Sequence, residues 1–333
     1  MVPLLLSLSL LLLLPGRRAG DCPPLRRYVV TVASGAAATP PERWAAAELV
    51  AELRKLDPGV RLATASAARG RPQIAVGHGA ALLAGMPAPT LAALVNNESF
   101  VIRSLPTRAV NNGTAPLPPP SVAVAGGPAA TRGTIYATTR LLEEMGWVFL
   151  AADETIIPPC PVAGWSTGLN LTVGVPVFEY RDCDASPNNN LTYDLRQHYN
   201  GQSAIGPGLS KAGLLANDTA HGGFVGYAGG FVHTSYSILG GAPRAKGGNG
   251  PPFDLFHAHN EWFWPHDNPL EYGQLCWSNA SLVDYVTERV KAVLRATPTA
   301  TIVSVSRKCR SFFVSCGAAQ AVHTALASLQ LPS

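Results

Sequence analysis

Charge is scarce in this chain. Asp, Glu, Lys and Arg make up 14% of its 333 residues, and the formal net charge is only +4. The basic residues form no stripe interleaved with aromatics, so the electrostatic footprint of a nucleic-acid binder is missing. Extended apolar runs are equally scarce. Leu4–Leu14 is eleven residues long, too short to cross about 30 Å of hydrocarbon as a helix, and no later run reaches that length. Nucleotide signatures are lacking too: Gly126-Gly127 has neither G-x-G-x-x-G nor the Walker Lys-Ser/Thr around it, and reads as a tight strand-to-helix turn. Cysteine is sparse, with six residues (Cys22, Cys160, Cys183, Cys276, Cys309 and Cys316). These are staples at most, and their fifteen possible pairings stay open.

What the chain does contain is enough apolar material, 47% of residues, to build a core. Its 29 prolines point to long loops more than to many long helices. Leu4–Leu14 is followed by Pro-Gly-Arg-Arg-Ala-Gly, so residues 1–20 are expected to be a secretory signal peptide, with no membrane attachment after its removal. Six Asn-x-Ser/Thr tripeptides, at Asn97, Asn112, Asn170, Asn190, Asn217 and Asn279, predict a glycosylated chain, secreted or held in the lumen of the secretory pathway.

Residues 21–175 alternate strand-like and helix-like segments. RYVVTVA from Arg27, QIAVG from Gln73, FVIRSL from Phe100 and SVAVAGG from Ser121 read as strands. PERWAAAELVAELRKL from Pro41, an Ala/Leu-rich stretch ending near Val95, and RGTIYATTRLLEEMGW read as helices, the last with Gly146 where a C-terminal glycine belongs. That is a small α/β layer domain, and His78 sits in it as an ordinary loop histidine. From Pro176 the rhythm changes. Val177–Arg181, the Gly-rich run 222–233 and Thr301–Ser306 read as strands, and SLVDYVTERVKAVLRATP as an amphipathic helix capped by Asn279 or Ser281. Strand, long loop, helix and strand is the rhythm of a (β/α) barrel. The expected class is therefore α/β, a small N-terminal domain followed by an incomplete TIM-barrel-like domain over 176–306.

The functional candidates concentrate between Phe231 and Ser306, where FVHTS, HAHNEWFWPHDN and QLCWSN gather His, Trp, Glu and Gln on loops, the usual composition of a binding cleft. His233 ends an expected strand and either contacts substrate or bonds to backbone. Glu261, next to Trp262 and Trp264, either grips sugar hydroxyls beside an aromatic platform or belongs to a loop that the two indoles anchor. His259 and Gln274 are further polar contacts, and Cys276 is structural. Arg181 either pairs with a uronic-acid carboxylate or forms a salt bridge with Asp182 or Asp184. His257-x-His259-x-Glu261 would converge on one side of an extended segment, yet no spacing specifies further ligands, so neither a metal nor a cofactor is expected. Glycoside hydrolysis needs two carboxyl groups about 5 to 9.5 Å apart. Asp182, Asp184, Asp254, Glu261 and Asp267 fit substrate contacts better than that role, and no catalytic pair is assigned.

The run QIAVGHG, SFVIRS, VAVAGG and RGTIYATTRLLEEMGWVFLAADETIIP resembles the non-catalytic N-terminal domain of α-glucuronidases and β-hexosaminidases, which packs beside a TIM barrel. PVFEYRD, FVHTS, HNEWFW, QLCWSN and TIVSVS resemble successive blocks of an uncharacterised, glycoside-hydrolase-like domain family that follows such N-terminal domains. The resemblance implies a carbohydrate-active protein that hydrolyses O-glycosyl bonds, with an oligo- or polysaccharide as its partner and no nucleic acid. A non-enzymatic carbohydrate-binding module and a metal-dependent hydrolase are the alternatives. From Pro176 to the end there are 158 residues, against about 250 for a full barrel. The sequence after Ser306 departs from the family, so 307–333 is expected to be an atypical tail from a frameshifted or mis-spliced gene, and this chain an inactive fragment.

Overall fold

The computed structural model describes residues 25–33, 37–68, 71–106, 120–128, 132–182, 190–201, 219–228, 234–240, 253–264, 274–298, 300 and 302–306. The expected signal segment, Asn112, Asn217, His233 and the tail 307–333 lie outside them. The chain divides into two compact units, Met1–Phe224 and Val225–Ser333. Both strands and helices are present, so the fold class is α/β.

The first unit is built on a six-stranded sheet. Its strands are β1 (Val29–Val32), β2 (Arg61–Thr64), β3 (Gln73–Val76), β4 (Phe100–Leu105), β5 (Ser121–Gly126) and, after the two-residue strands β6 (Val148–Phe149) and β7 (Thr155–Ile156), β8 (Asn170–Val173). Their order is β2-β1-β3-β5-β4-β8. The first four run parallel, while β4 is antiparallel to both β5 and β8. β6 and β7 form a separate antiparallel pair.

Helices cover both faces, as a parallel core requires. On one face α1 (Pro40–Arg54) and α4 (Gly133–Glu144) bury Leu49, Leu53, Ile135 and Leu141 against Val30, Ile74, Ile102, Val122 and Val124. On the other, α2 (His78–Ala84) and α3 (Ala88–Ala92) pack Ala80, Ala81 and Leu91 against Ala75, Val101, Ala123 and Ala125. Alternation along β5 thus puts valines under long side chains and alanines under a closely approaching helix layer. The Ala/Leu-rich stretch expected as one helix is two, because Gly85 ends α2 and Pro87 precedes α3.

Local chemistry sets these elements. Thr39 and Glu42 form a reciprocal capping box: the Glu42 N–H donates to Thr39 Oγ1 at 3.4 Å and the Thr39 N–H to Glu42 Oε2 at 2.7 Å. Glu42 Oε1 also accepts from the His78 N–H at 2.6 Å, which ties the start of α1 to the start of α2. Gly127 has a packing reason: a Cβ there would sit 1.9 Å from the Leu94 carbonyl oxygen.

The described residues 176–182 and 190–201 pack within the first unit. Val177–Arg181, expected as the first barrel strand, forms no strand and has no ladder partner among the described residues. Val177 is 93% and Phe178 71% exposed, so the apolar run buries no face. Polar contacts of Arg181 hold the segment instead. Beyond it lies α5 (Leu191–Arg196), whose Leu195 joins the core.

The second unit contains α6 (Ser235–Ile238), α7 (Phe253–Ala258), the antiparallel pair β9 (Phe263–Trp264) and β10 (Gln274–Leu275), and α8 (Ala280–Ala296). α8 fulfils its sequence expectation, with Leu282, Val286 and Val290 buried and Asn279 as the cap. These residues pack with Tyr236, Ile238, Leu239, Trp262, Phe263 and Leu275. Of the two remaining runs expected as strands, the described residues Tyr227 and Ile302 meet in a parallel bridge. Hydrogen bonds from the Ala228 N–H to the Ile302 carbonyl and from the Ser235 N–H to the Ser306 carbonyl extend the contact.

Candidate functional site

In the second unit the sequence HAHNEWFW folds into the end of α7, a 3-10 turn at Asn260–Trp262, and β9. Trp262 is 3% exposed. Its Nε1–H donates to Ser281 Oγ at 2.8 Å, and Ser281 Oγ donates to Asn279 Oδ1 at 2.8 Å. The same Asn279 oxygen accepts from the Leu282 N–H at 3.3 Å and caps α8. This indole is therefore an anchor of the loop, not an open sugar platform.

What faces solvent is laid over that anchor. The His259 imidazole stacks on Trp262, with centroids 4.0 Å apart and planes 5° from parallel. Its Nδ1 lies 3.2 Å from Glu261 Oε1, and the two side chains are 43% and 51% exposed. A flat imidazole and a carboxylate are thus held side by side on a rigid base. Register places Trp264 opposite Gln274, and Gln274 is half-buried. Cys276 is buried, and its N–H donates to the Trp262 carbonyl at 2.8 Å, a structural placement.

The extended geometry assumed for a His257, His259 and Glu261 metal site is not formed. His257 belongs to α7, with its ring tilted against Phe256, while Glu261 lies in the 3-10 turn. Among the described residues no group of three or more His, Cys, Asp or Glu is gathered for a metal ion.

Arg181 belongs to a different constellation, in the first unit. Its Nη2 donates to Glu98 Oε2 at 2.6 Å, Nε to the His198 carbonyl at 2.8 Å and Nη1 to the Phe178 carbonyl at 2.6 Å. Glu98, just before β4, also accepts from Asn200 Nδ2 at 2.9 Å and Tyr136 Oη at 3.3 Å, and pairs with Arg132 at 3.9 Å. Among the described residues the carboxylate paired with Arg181 is Glu98; Asp184, one of the two partners the sequence suggested, lies outside them.

His198 sits at the centre of this network with φ of 58°, a left-handed conformation unusual for a non-glycine residue. Its ring stacks on Tyr136 at 4.4 Å and meets Phe100 edge-on. Burial, then the charges of Arg181 and Arg140, push its pKa down to about 4. Burial also raises the Tyr136 phenol above its ordinary range. Asp194, on α5, is 1% exposed, and neither carboxylate oxygen has a hydrogen-bond partner. Burial, then the Asp182 charge, push it up to about 7. Glu98, Asn200, His198 and Asp194 escaped the sequence reading because no local spacing marks them. Asn200 and Glu98 are 102 residues apart.

The four described sequons are differently placed. Asn97, Asn170 and Asn190 are exposed and Asn279 is half-buried. Asn170, on β8, accepts from Arg103 Nε at 3.2 Å and Nη2 at 2.9 Å through Oδ1. Asn190 caps α5 by accepting from the Tyr193 N–H at 3.1 Å. In all three bonded cases, Asn279 included, the acceptor is Oδ1, so the bonding leaves Nδ2, the atom a glycan would take.

A family model described as a domain of unknown function, DUF4838, matches residues 150–331. The chain belongs to that family. The DUF4838 match takes in both Arg181 and the His259–Glu261 pair, and it bears out the resemblance of the HNEWFW and QLCWSN blocks to an uncharacterised domain family. It brings no activity with it. No curated protein matches the chain.

Proposed function

We propose that this DUF4838 chain is a glycoside-hydrolase-like, carbohydrate-active protein of the secretory pathway, and that the chain itself acts as a carbohydrate-binding module. The carrying observation is the exposed His259–Glu261 pair fixed on Trp262. A carboxylate accepts hydrogen bonds from vicinal sugar hydroxyls, and an imidazole both donates and accepts. Holding both on a buried indole reduces the entropy lost on binding. Gln274 and Trp264 complete the proposed contact set. Arg181 is left out because Glu98 engages it.

Support for the compartment comes from the sequons and from Cys160, which is disulfide-bonded, a state typical of oxidising compartments. The resemblance of residues 21–175 to an α-glucuronidase or β-hexosaminidase N-terminal domain belongs to this proposal. So does a barrel-like reading of 176–306, for which the parallel Tyr227–Ile302 bridge and α8 are the favourable observations. No acid and base pair is assigned, so binding without turnover is the expected behaviour.

The test is a panel of immobilised neutral and uronate oligosaccharides probed with the secreted, purified chain. Binding should fall at least tenfold in both Glu261→Gln and His259→Ala, with thermal unfolding unchanged because both side chains are exposed. Binding that both variants retain in full, or no binding to any sugar, sinks the proposal. Release of reducing ends from the same sugars would replace the binding-module reading with a hydrolytic one.

A further inference from the structure

Asn200 and Gly201 stand side by side for two separate structural reasons. Asn200 is 2% exposed. Its Oδ1 accepts from the Arg181 N–H at 2.8 Å, and its Nδ2 donates to Glu98 Oε1 at 2.9 Å and to the Glu179 carbonyl at 2.7 Å. A side chain that both donates and accepts is needed there, which a carboxamide does and a carboxylate does not. Gly201 answers to close approach, since a Cβ would lie 2.4 Å from Asp182 Cβ, Cγ and Oδ2. Its N–H donates to the Arg181 carbonyl at 3.0 Å, and the Asn200 N–H donates to the same oxygen at 2.9 Å. Together these demands place an Asn-Gly pair at the polar hub. In that dipeptide the backbone nitrogen reaches the preceding side chain most readily, because glycine carries no Cβ to obstruct it.

We propose that Asn200 is a self-modification site that folding holds shut: it deamidates when the first unit opens, and the product no longer fits the hub. In the reaction the Gly201 nitrogen gives up its proton to a solvent base and attacks Asn200 Cγ. The new C–N bond closes a five-membered succinimide while the side-chain nitrogen leaves as ammonia. Water then opens the ring at one of its two carbonyls, leaving aspartate or isoaspartate at position 200. The folded state opposes each stage. The attacking N–H is bonded to the Arg181 carbonyl, the carboxamide is pinned at both of its polar atoms, and burial keeps solvent base and water away. A reaction confined to the open form then tracks the population of that form. The product carboxylate cannot donate to Glu98 or to the Glu179 carbonyl, and it sets a second negative charge against Glu98. Isoaspartate also lengthens the main chain by one carbon between the two N–H groups that grip Arg181. Opening that lasts long enough is thereby made irreversible.

The experiment incubates the full chain in mildly alkaline buffer, with and without enough urea to unfold it, beside a synthetic peptide of residues 197–211. Asn200 is the only asparagine in that peptide, which trypsin also releases from the chain. Mass spectrometry follows the mass gain of deamidation. The unfolded chain and the peptide should react at similar rates, and the folded chain at least tenfold more slowly. After removal of urea, the refolded fraction isolated by size exclusion should be depleted in modified chains at least tenfold relative to the fraction that does not refold. Asn200→Asp should melt below the wild type or fail to fold. Deamidation of the folded chain at the rate of the peptide overturns the proposal. So does equal recovery of modified and unmodified chains on refolding, or an Asn200→Asp variant that melts with the wild type.

Discussion

Glu98 is the residue on which the first unit's polar interior converges. It faces two guanidiniums, a phenol and a carboxamide. Neutralising it leaves Arg132 and Arg181 without their shared counter-charge, and such truncations cost more than the intact pair contributes. Glu98→Gln is expected to lose about 3 kcal/mol in urea unfolding, the lower end of the range for a buried pair, because Arg181 keeps 20% side-chain exposure. Combining it with Arg181→Gln should cost less than the sum of the two single changes.

The same neighbourhood sets opposing pH dependences. Asp194 rises from 3.8 to about 7 on folding, so its contribution to stability is fully present below 3.8 and is lost as pH rises through about 7. His198 falls from 6.5 to about 4, so its contribution is present above 6.5 and is lost as pH falls through about 4. Between about 4 and 6.5 the two slopes oppose each other and flatten the wild-type profile. Asp194→Asn should unmask a loss of stability on acidification. His198→Asn, which tolerates the left-handed backbone, should unmask a gain. Urea midpoints measured across that pH range check both signs.

At the scale of elements, capping can be separated from glycosylation. Asn279→Asp keeps an oxygen for the α8 cap but cannot carry a glycan, whereas Asn279→Ala loses both. The alanine variant should be less stable than the aspartate variant by about 1 kcal/mol, and both should lose the same glycan mass in electrophoresis. Gly127→Ala should destabilise the first unit severely, because the new methyl meets the Leu94 backbone, not a yielding side-chain tip. A drop in melting temperature with no change in ligand response is the expected signature.

Elements with local signatures were legible in the sequence. α1, α4 and α8 carry periodic apolar positions, and α1 and α8 carry side-chain caps at their starts. β2 escaped because its residues are mostly exposed and show no buried alternation. Val177–Arg181 misled because Val and Phe suggest a strand, yet without a ladder partner that propensity decides nothing. The His259–Glu261 pair was visible as polar residues in an aromatic loop, but their stacking on Trp262 depends on a turn that spacing does not reveal. Glu98 lay inside the Asn97-Glu98-Ser99 tripeptide, where a glycosylation reading concealed its partners 83 and 102 residues away.

Across the whole molecule, cohesion is unequal. The first unit joins a sheet covered on both faces to four helices, while the second has one smaller cluster around α8. Amide hydrogen exchange should be slowest at the inner strands β3 and β5, and faster in β9 and β10, each paired on one side only. Equal protection in both pairs would contradict this ranking.

The two coverings of the sheet also differ in their tolerance of inherited change. Under α1 and α4, neighbouring large side chains can exchange volume among themselves. Under α2 and α3, Ala123 and Ala125 are fully buried beneath Ala80 and Ala81, and an added methyl group has nowhere to go. A saturation library read along β5 should therefore show a ripple of period two: Val122 and Val124 accept several aliphatic replacements, while Ala123 and Ala125 accept little beyond glycine or serine. The backbone's pleat would be written directly into the protein's permitted variation.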